Sequence, residues 1–483
     1  MKWKKRAGSH RMGTMWRLSW PAIMEQILAT MVSYVDTAMV GVLGAGGTAA
    51  VSVNAASIWL INGILAGVGV GFSVQISHAV GAGDDNRVRQ VLRQSVLGAF
   101  ACGLAALAVY QLLAGLIPLW LGAKPDVYPA AVAYLRCYTA ALPFASAGIV
   151  FSAVLRCMGN SKAPLILNTM ANLLNIVLNF FFIYPTRQAD ILGWTVTIPG
   201  AGLGAAGAAI ASAIALTASG AAMVWVALRQ GERYRVNLRE GLRPDGPILR
   251  RAAMLGLPSA AERATVNLGQ IAMTALVAHL GTVALAANQI ATTAEGLCYL
   301  PAYGISYAAT ALVGQSVGEG SREDAEAYGT LSGLLGFGLC VGTGVLLFLL
   351  AAPLAGLFNT DQEVVAQAAM ALRIVSVAEP FFAASIVFTG ALRGGQDVRF
   401  PMVVSLVCMW GVRIALAPLL VFQFGMGLEA VWIAMAVDLI LRGVLCTLRW
   451  RSGRWRKYCG LAAYSVSKNL PEKEASQSSV IRR

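Results

Sequence analysis

Six carboxylates interrupt stretches that are otherwise apolar: Glu25, Asp36, Glu262, Glu295, Glu379 and Asp438, with Arg413 the clearest basic residue in such a stretch. A charge at the centre of a bilayer costs about 2.5–3.5 kcal/mol on insertion scales, so each needs a reason to be there. A proton, Na⁺ or an organic cation each satisfies a buried carboxylate, but they exclude one another. Glu25 and Asp36 are eleven residues apart; on a helix that is about 1100° of turn and about 16 Å of rise, so both face nearly the same way. Asn168, Asn172, Asn175 and Asn179 follow 4, 3, 4 spacing and occupy one narrow helical stripe. Four asparagines are untenable against acyl chains, so the stripe must face protein or a water-filled cavity. Asn288, Thr292, Glu295 and Tyr299 repeat that spacing and end just before Pro301. Asp438 and Arg442, at i and i+4, read as a local pair near the inner surface.

The elements that must position these groups are membrane spans. Of 483 residues, 57% are hydrophobic and 12% charged, against about 25% charged in ordinary soluble domains, and mean hydropathy is +0.65. Apolar runs of twenty or more residues suit a hydrocarbon core of about 30 Å. The backbone there must satisfy itself, which leaves helices or closed barrels. The run 337–355 lacks period-2 alternation, which removes the barrel. Twelve spans are expected, at 16–43, 52–80, 93–118, 128–156, 163–185, 202–229, 253–280, 286–317, 329–357, 366–391, 401–424 and 427–450. The first follows a basic stretch but has no credible cleavage site, so it reads as a span rather than a leader.

The net charge of +14 is placed asymmetrically. Basic residues gather at Lys2, Lys4, Lys5, Arg6 and Arg11, and at 87–93, 229–251, 393–399 and 449–457, whereas loops 44–51, 281–285 and 424–427 have none. Lys124 and Arg187 are the exceptions on that second side. This positive-inside pattern puts both termini in the cytoplasm, and charges so close to spans do not make a nucleic-acid surface. The eight cysteines contain no CxxC and seven lie in apolar segments, so neither a disulfide framework nor a metal site is expected.

A shift of 237 residues superposes the chain on itself. Pro21 falls on Pro258, Glu25 on Glu262, Leu43-Gly44 on Leu280-Gly281, Gly83 on Gly320, Arg136 on Arg373, Pro143-Phe144 on Pro380-Phe381, and Leu155-Arg156 on Leu392-Arg393. The register runs without a gap to Pro164 on Pro401; thereafter Leu203 meets Leu428 at a shift of 225, implying a 12-residue insertion around 186–198. Six spans per copy give both halves the same orientation, related by an axis along the membrane normal, with a substrate site at their interface. The expected organisation is a lobe at 1–230, a basic linker at 231–251 (the connection 229–251 carries seven arginines), a second lobe at 252–458, and a disordered tail at 459–483.

The first half reads WPAIMEQILATMVSYVDTAMVGVLGAGGTAAVSV and SIWLINGILAGVGVGFSVQISHAVGAG, followed by LRCMGNSKAPLILNTMANLLNIVLNFFFIY and PGAGLGAAGAAIASA. The second half supplies LPSAAERATVNLGQ, LGTVALAANQIA, LRGGQDVRFP and VWIAMAVD. Together, over about 20–450, these resemble the multidrug and toxic compound extrusion (MATE) transporters of bacterial type. The resemblance implies an all-α membrane protein of twelve helices in two pseudo-symmetric six-helix lobes. It also implies Na⁺- or H⁺-coupled export of organic, often cationic, compounds across the plasma (bacterial inner) membrane. No cofactor beyond the transported ion is implied. Partners would be small organic cations and membrane lipid, in a monomer.

Asp36, in YVDTAMVG, lies where the family's coupling aspartate is expected. With Asn175, Asn179 and Ser212 it is assigned to a cation site in the first lobe: the carboxylate supplies charge and the amide oxygens supply hard ligands suited to Na⁺. Asn179 departs from the family, where aspartate is common, so a proton route through this lobe would rest on Asp36. Glu295, Glu379, Glu262, Asn288 and Arg413 of the second lobe, with Glu25 of the first, form the candidate substrate and proton set. Family members carry an acid about one turn deeper than Glu262, where this chain has Val266, and Arg413 is a candidate to neutralise one of the carboxylates. Trp59, Tyr299, Tyr303, Phe381 and Phe382 are candidate aromatic contacts for flat cations.

A flippase for lipid-linked or polysaccharide intermediates is the alternative. It calls for a basic cavity, whereas acids outnumber bases at depth here. An intramembrane enzyme is disfavoured, since His10, His78 and His279 form no cluster, and without a Walker loop ATP hydrolysis has no support.

Overall fold

A computed structural model describes residues 8–191, 194–231, 233–236 and 243–459. The tail expected at 459–483 lies, apart from Cys459, outside the described residues, as do Lys2, Lys4, Lys5, Arg6 and the His10 side chain. The chain folds as α1 Gly8–Gly41, α2 Gly44–Ala82, α3 Asp85–Leu113, the short α4 Ile117–Trp120, α5 Tyr128–Thr139, α6 Leu142–Cys157 and α7 Lys162–Phe182. Strands β1 Pro185–Ile191 and β2 Trp194–Ala201 follow, then α8 Gly204–Leu228. The second copy comprises α9 Gly246–His279, α10 Thr282–Gly318, α11 Arg322–Leu349, the short α12 Ala351–Gly356, α13 Gln362–Ser376 and α14 Glu379–Gly394. It ends with α15 Arg399–Leu406, a π-helical turn Val407–Arg413, α16 Ile414–Phe424 and α17 Leu428–Arg451.

Among the described residues, eight helices are long and apolar enough to cross a membrane, or ten spans if each bent pair counts as one. Helices α1 and α9, of 34 residues each and so about 51 Å long, complete twelve. Their polar residues, Glu25 and Asp36 in α1 and Glu262 and Arg263 in α9, are what lower their hydropathy.

Two expected spans are not straight. The fourth breaks between α5 and α6 by 52° and the tenth between α13 and α14 by 55°. Both breaks precede a proline at the second position of the following helix, Pro143 and Pro380, where the missing N–H is tolerated. The inserted segment is the β1–β2 hairpin, paired antiparallel from Pro185↔Ala201 to Ile191↔Trp194. Helix α9 begins at Gly246, inside the stretch read as linker, because the Asp245 side chain accepts the Ile248 N–H at 3.1 Å and caps it.

The lobes exchange packing across their seam. Met15, Leu18 and Ile23 of α1 are buried in the core formed by α10, α11 and α14, while Ile248 and Ala252 of α9 are buried in the core of α2, α3 and α6. The ends of α2 and α10 cross in backbone contact, which requires glycine: a Cβ on Gly81 would lie 1.9 Å from the Gln315 carbonyl oxygen, and one on Gly318 2.1 Å from that of His78. Beside this crossing His78 Nε2 donates to Gly394 O at 2.8 Å and Gln315 Nε2 donates to Cys157 O at 2.8 Å. The repeat exchanges these two bonds, since His78 matches Gln315 and Cys157 matches Gly394.

Candidate functional site

In the first lobe, α1 and α7 turn their polar faces toward each other. The Asn179 amide donates to Asp36 Oδ1, and Asn179 Nδ2 is 3.3 Å from the Asn175 side chain. The Asn175 orientation that satisfies its neighbours donates to Asp36 Oδ1 at 3.1 Å and accepts from Ser212 Oγ of α8 at 3.1 Å. The fold therefore brings Asp36, Asn175, Asn179 and Ser212 into one cluster. Asn179 Oδ1 is buried there without a hydrogen-bond partner. A half-buried carboxylate, two amides and a hydroxyl offer oxygen donors for a hard cation or a place for a proton.

Asn168, on the same stripe, serves a different group. It donates to Glu25 Oε1 at 2.6 Å and accepts from Ser219 at 3.0 Å, and Glu25 is also held by Arg156 at 2.8 Å. Glu262 is held by Arg393 at 2.8 Å, and the repeat relates one ion pair to the other. Both carboxylates, expected among substrate and proton groups, thus have dedicated cationic partners in each lobe. Arg156 and Arg393 went unrecognised as those partners. Their signal was present, because each arginine recurs at the same shift as its glutamate.

In the second lobe Glu295 and Glu379 are buried and close enough for their charges to repel. Both oxygens of Glu379, at the break before α14, lack hydrogen-bond partners among the described residues. Glu295 also feels the charge of Arg413, but the carboxylate nearest Arg413 is Asp438, at 3.9 Å. Asp438 makes a two-pronged contact with Arg442 at 2.6 and 2.7 Å. That pair is as expected, but its place is not: Asp438 is fully buried near the middle of α17 rather than at the inner surface. Asn288 accepts from Trp432 Nε1 at 3.1 Å and ties α10 to α17. Of the aromatic candidates, Tyr299 packs edge-on against Tyr303 and Phe382, Phe381 packs against Phe337, and Trp59 is 70% exposed.

Between the lobes lies a cavity of about 90 Å³ lined by Val70, Ser73 and Arg156 on one side and Arg263, Tyr307 and Arg393 on the other. The expected preponderance of acids at depth does not hold here: the charged groups lining this cavity are three arginines, because Glu25 and Glu262 are spent on ion pairs.

Two six-helix lobes around a polar seam, each with buried carboxylates, define a two-lobed membrane transporter. The MatE family model matches residues 21–181 and, again, 258–419, so the family signature falls once on each copy of the repeat. The chain belongs to the MatE family. A probable multidrug resistance protein NorM of Thermotoga maritima is 28% identical over 446 residues, covering 91% of this chain and 92% of that protein. Multidrug resistance protein MdtK of Pectobacterium atrosepticum is 30% identical over 452 residues, covering 90% and 94%. A crystal structure of a MATE transporter in the bent conformation shares the fold, with a TM-score of 0.83 at 21% identity over 96% of this chain and 100% of that one.

Proposed function

We propose that the chain is an antiporter, driven by Na⁺ or H⁺, that exports organic and often cationic compounds by alternating access between its lobes. The observation that carries this reading is the Asp36–Asn179–Asn175–Ser212 cluster, with its unpartnered amide oxygen. The Asn179 side-chain N–H faces Asp36. Rotating that amide by 180° exchanges the donor for an oxygen that shares a cation with the carboxylate. Cation entry thereby replaces hydrogen bonds across α1 and α7 and alters how α1 meets the second lobe. Glu295 and Glu379 supply the acidic groups of the other lobe, available to a proton or a cationic substrate. Both relatives carry the name multidrug resistance protein, in agreement with an organic substrate. The chain works in this reading as a monomer in the bacterial inner membrane with both termini cytoplasmic.

Efflux from proteoliposomes under separate Na⁺ and pH gradients tests the coupling, with Asp36→Asn as the control. The variant should insert normally and lose export; wild-type rates from it remove the site, and indifference to both gradients removes the coupling. The flippase alternative draws on the arginine-lined cavity. It requires translocation of a lipid-linked saccharide in the same vesicles, with no dye efflux.

A further inference from the structure

We propose that the cavity between the lobes is a subsite for the carboxylate of an amphipathic organic substrate, with Arg263 as its anchoring cation. The substrate class is then acidic or zwitterionic molecules carrying a flat apolar body, which rests on the exporter reading and narrows it.

The argument starts from charge. Arg156 and Arg393 each hold a glutamate at 2.8 Å. Arg263 has no carboxylate within 4.0 Å among the described residues, and its guanidinium lies over the Tyr303 ring, 5.4 Å from the centroid. Three guanidiniums therefore share two carboxylates around one cavity, with Arg156 and Arg393 buried and Arg263 half-buried. An unbalanced buried charge is costly, and a bound anion removes that cost. The Nε–H groups of Arg156 and Arg393 are buried without acceptors, so donors remain after both ion pairs are made.

The repeat separates Arg263 from the structural pairs. Glu25 and Arg156 recur as Glu262 and Arg393, but the position matching Arg263 is Gln26. The third positive charge belongs to one lobe only, so the shared frame does not explain it.

Size and shape select the ligand. A cavity of about 90 Å³ has room for a carboxylate beside the three guanidiniums. The guanidinium fork matches a carboxylate with two parallel hydrogen bonds. The Tyr307 ring, 4.4 Å from the Arg156 guanidinium carbon, offers an aromatic wall to the rest of the molecule.

Tetramethylrhodamine, a zwitterion with a free carboxylate, and its ethyl ester, a cation with the same rings, make a matched pair of probes. Their binding to the full-length protein in phosphatidylcholine nanodiscs and their efflux from proteoliposomes are measured for wild type, Arg263→Gln and Arg263→Lys. The zwitterion should bind wild type about tenfold or more tighter than the ester. Arg263→Gln should abolish that preference through the zwitterion alone, and Arg263→Lys should restore part of it. Equal losses for both probes, or a wild-type preference for the ester, overturn the subsite while leaving export intact. Loss of zwitterion binding in phosphatidylglycerol nanodiscs also overturns it, by assigning the cavity to a lipid headgroup. If neither probe is bound or moved by monodisperse wild-type protein, the exporter reading falls as well.

Discussion

Where the first lobe has Asp36, Asn175 and Asn179, the second has Met273, Val412 and Leu416; where the second has Glu295, Glu379 and Arg413, the first has Ile58, Leu142 and Ile176. Against that divergence, Glu25–Arg156 and Glu262–Arg393 are the same ion pair made twice. The positive-φ glycines Gly83 and Gly320, at 70° and 72°, also recur at the ends of α2 and α10. What both lobes keep is the frame that aligns helices and meets across the seam. What they do not keep is the chemistry between those helices. A bundle whose lobes differed only by drift would scatter its changes, but in the first lobe the unshared Asp36, Asn175 and Asn179 form one cluster. Two lobes that are mechanically alike and chemically unlike suit a machine in which one holds an ion while the other meets something else.

The sharpest way to break this comparison is to move the acid between lobes. Asp36→Asn should reduce coupled export in proteoliposomes to background, and adding Met273→Asp should not recover it, because Val412 and Leu416 stand where the first lobe has Asn175 and Asn179. Recovery would mean that position in the frame, rather than local donors, makes the site.

The ion pairs should respond oppositely, by behaving alike. Arg156→Gln and Arg393→Gln each leave a buried carboxylate without its cation, a loss of about 3–5 kcal/mol. In detergent, each should lower the midpoint of thermal unfolding by a similar amount. Glu25→Gln added to Arg156→Gln, and Glu262→Gln added to Arg393→Gln, should recover most of that loss. A large effect in one lobe only would end the equivalence.

The residues that follow helical spacing were legible. Eleven residues put Glu25 and Asp36 on one face of α1, 4, 3, 4 spacing put the asparagines on one face of α7, and the two faces meet. The repeat also gave the two-lobed plan, since a register held through loops and prolines reflects a duplicated fold. What spacing along one helix does not encode is the partner on another. The Asn168 amide goes to Glu25 and not to the Asp36 cluster, and Arg413 meets Asp438 rather than either C-lobe glutamate, because helix–helix approach decides both. The π-helical turn at Val407–Arg413 was not readable either: an extra residue per turn leaves no mark on hydropathy, although Pro418, which denies Ile414 its i+4 donor, shows that the helix is imperfect there.

The seam offers a smaller test of the shared frame. Gly81→Ala and Gly318→Ala each drive a methyl group into a backbone oxygen of the other lobe, which the backbones relieve only by separating, at about 1–3 kcal/mol. The buried Cys157 reports that separation when it is the only cysteine retained. Its labelling by a membrane-permeant maleimide should quicken by about tenfold or more with either substitution. A response to one glycine alone would show that the seam opens asymmetrically.

The smallest expected effect lies where the frame itself departs from symmetry. Gly159, at φ 86°, has Gln396 as its counterpart, at φ 65°, the positive-φ residue other than glycine among those described. A side chain in that conformation costs about 1–2 kcal/mol, and it is tolerated here because Gln396 Nε2 donates to His78 Nδ1 at 3.0 Å while its Oε1 accepts from Arg251 at 2.9 Å. Those bonds return about 0.5–1.5 kcal/mol each, so Gln396→Gly should change overall stability by less than about 1 kcal/mol. Its effect should appear at the seam instead. Without Gln396 the imidazole loses the donor that fixes its tautomer, and the His78–Gly394 bond weakens while its counterpart, Gln315–Cys157, keeps its geometry. Cys157 labelling should then rise by about two- to fivefold, less than for either glycine substitution. An unchanged rate would mean that the strained glutamine is not what steadies His78, and that the two halves of the seam are equivalent despite their different residues.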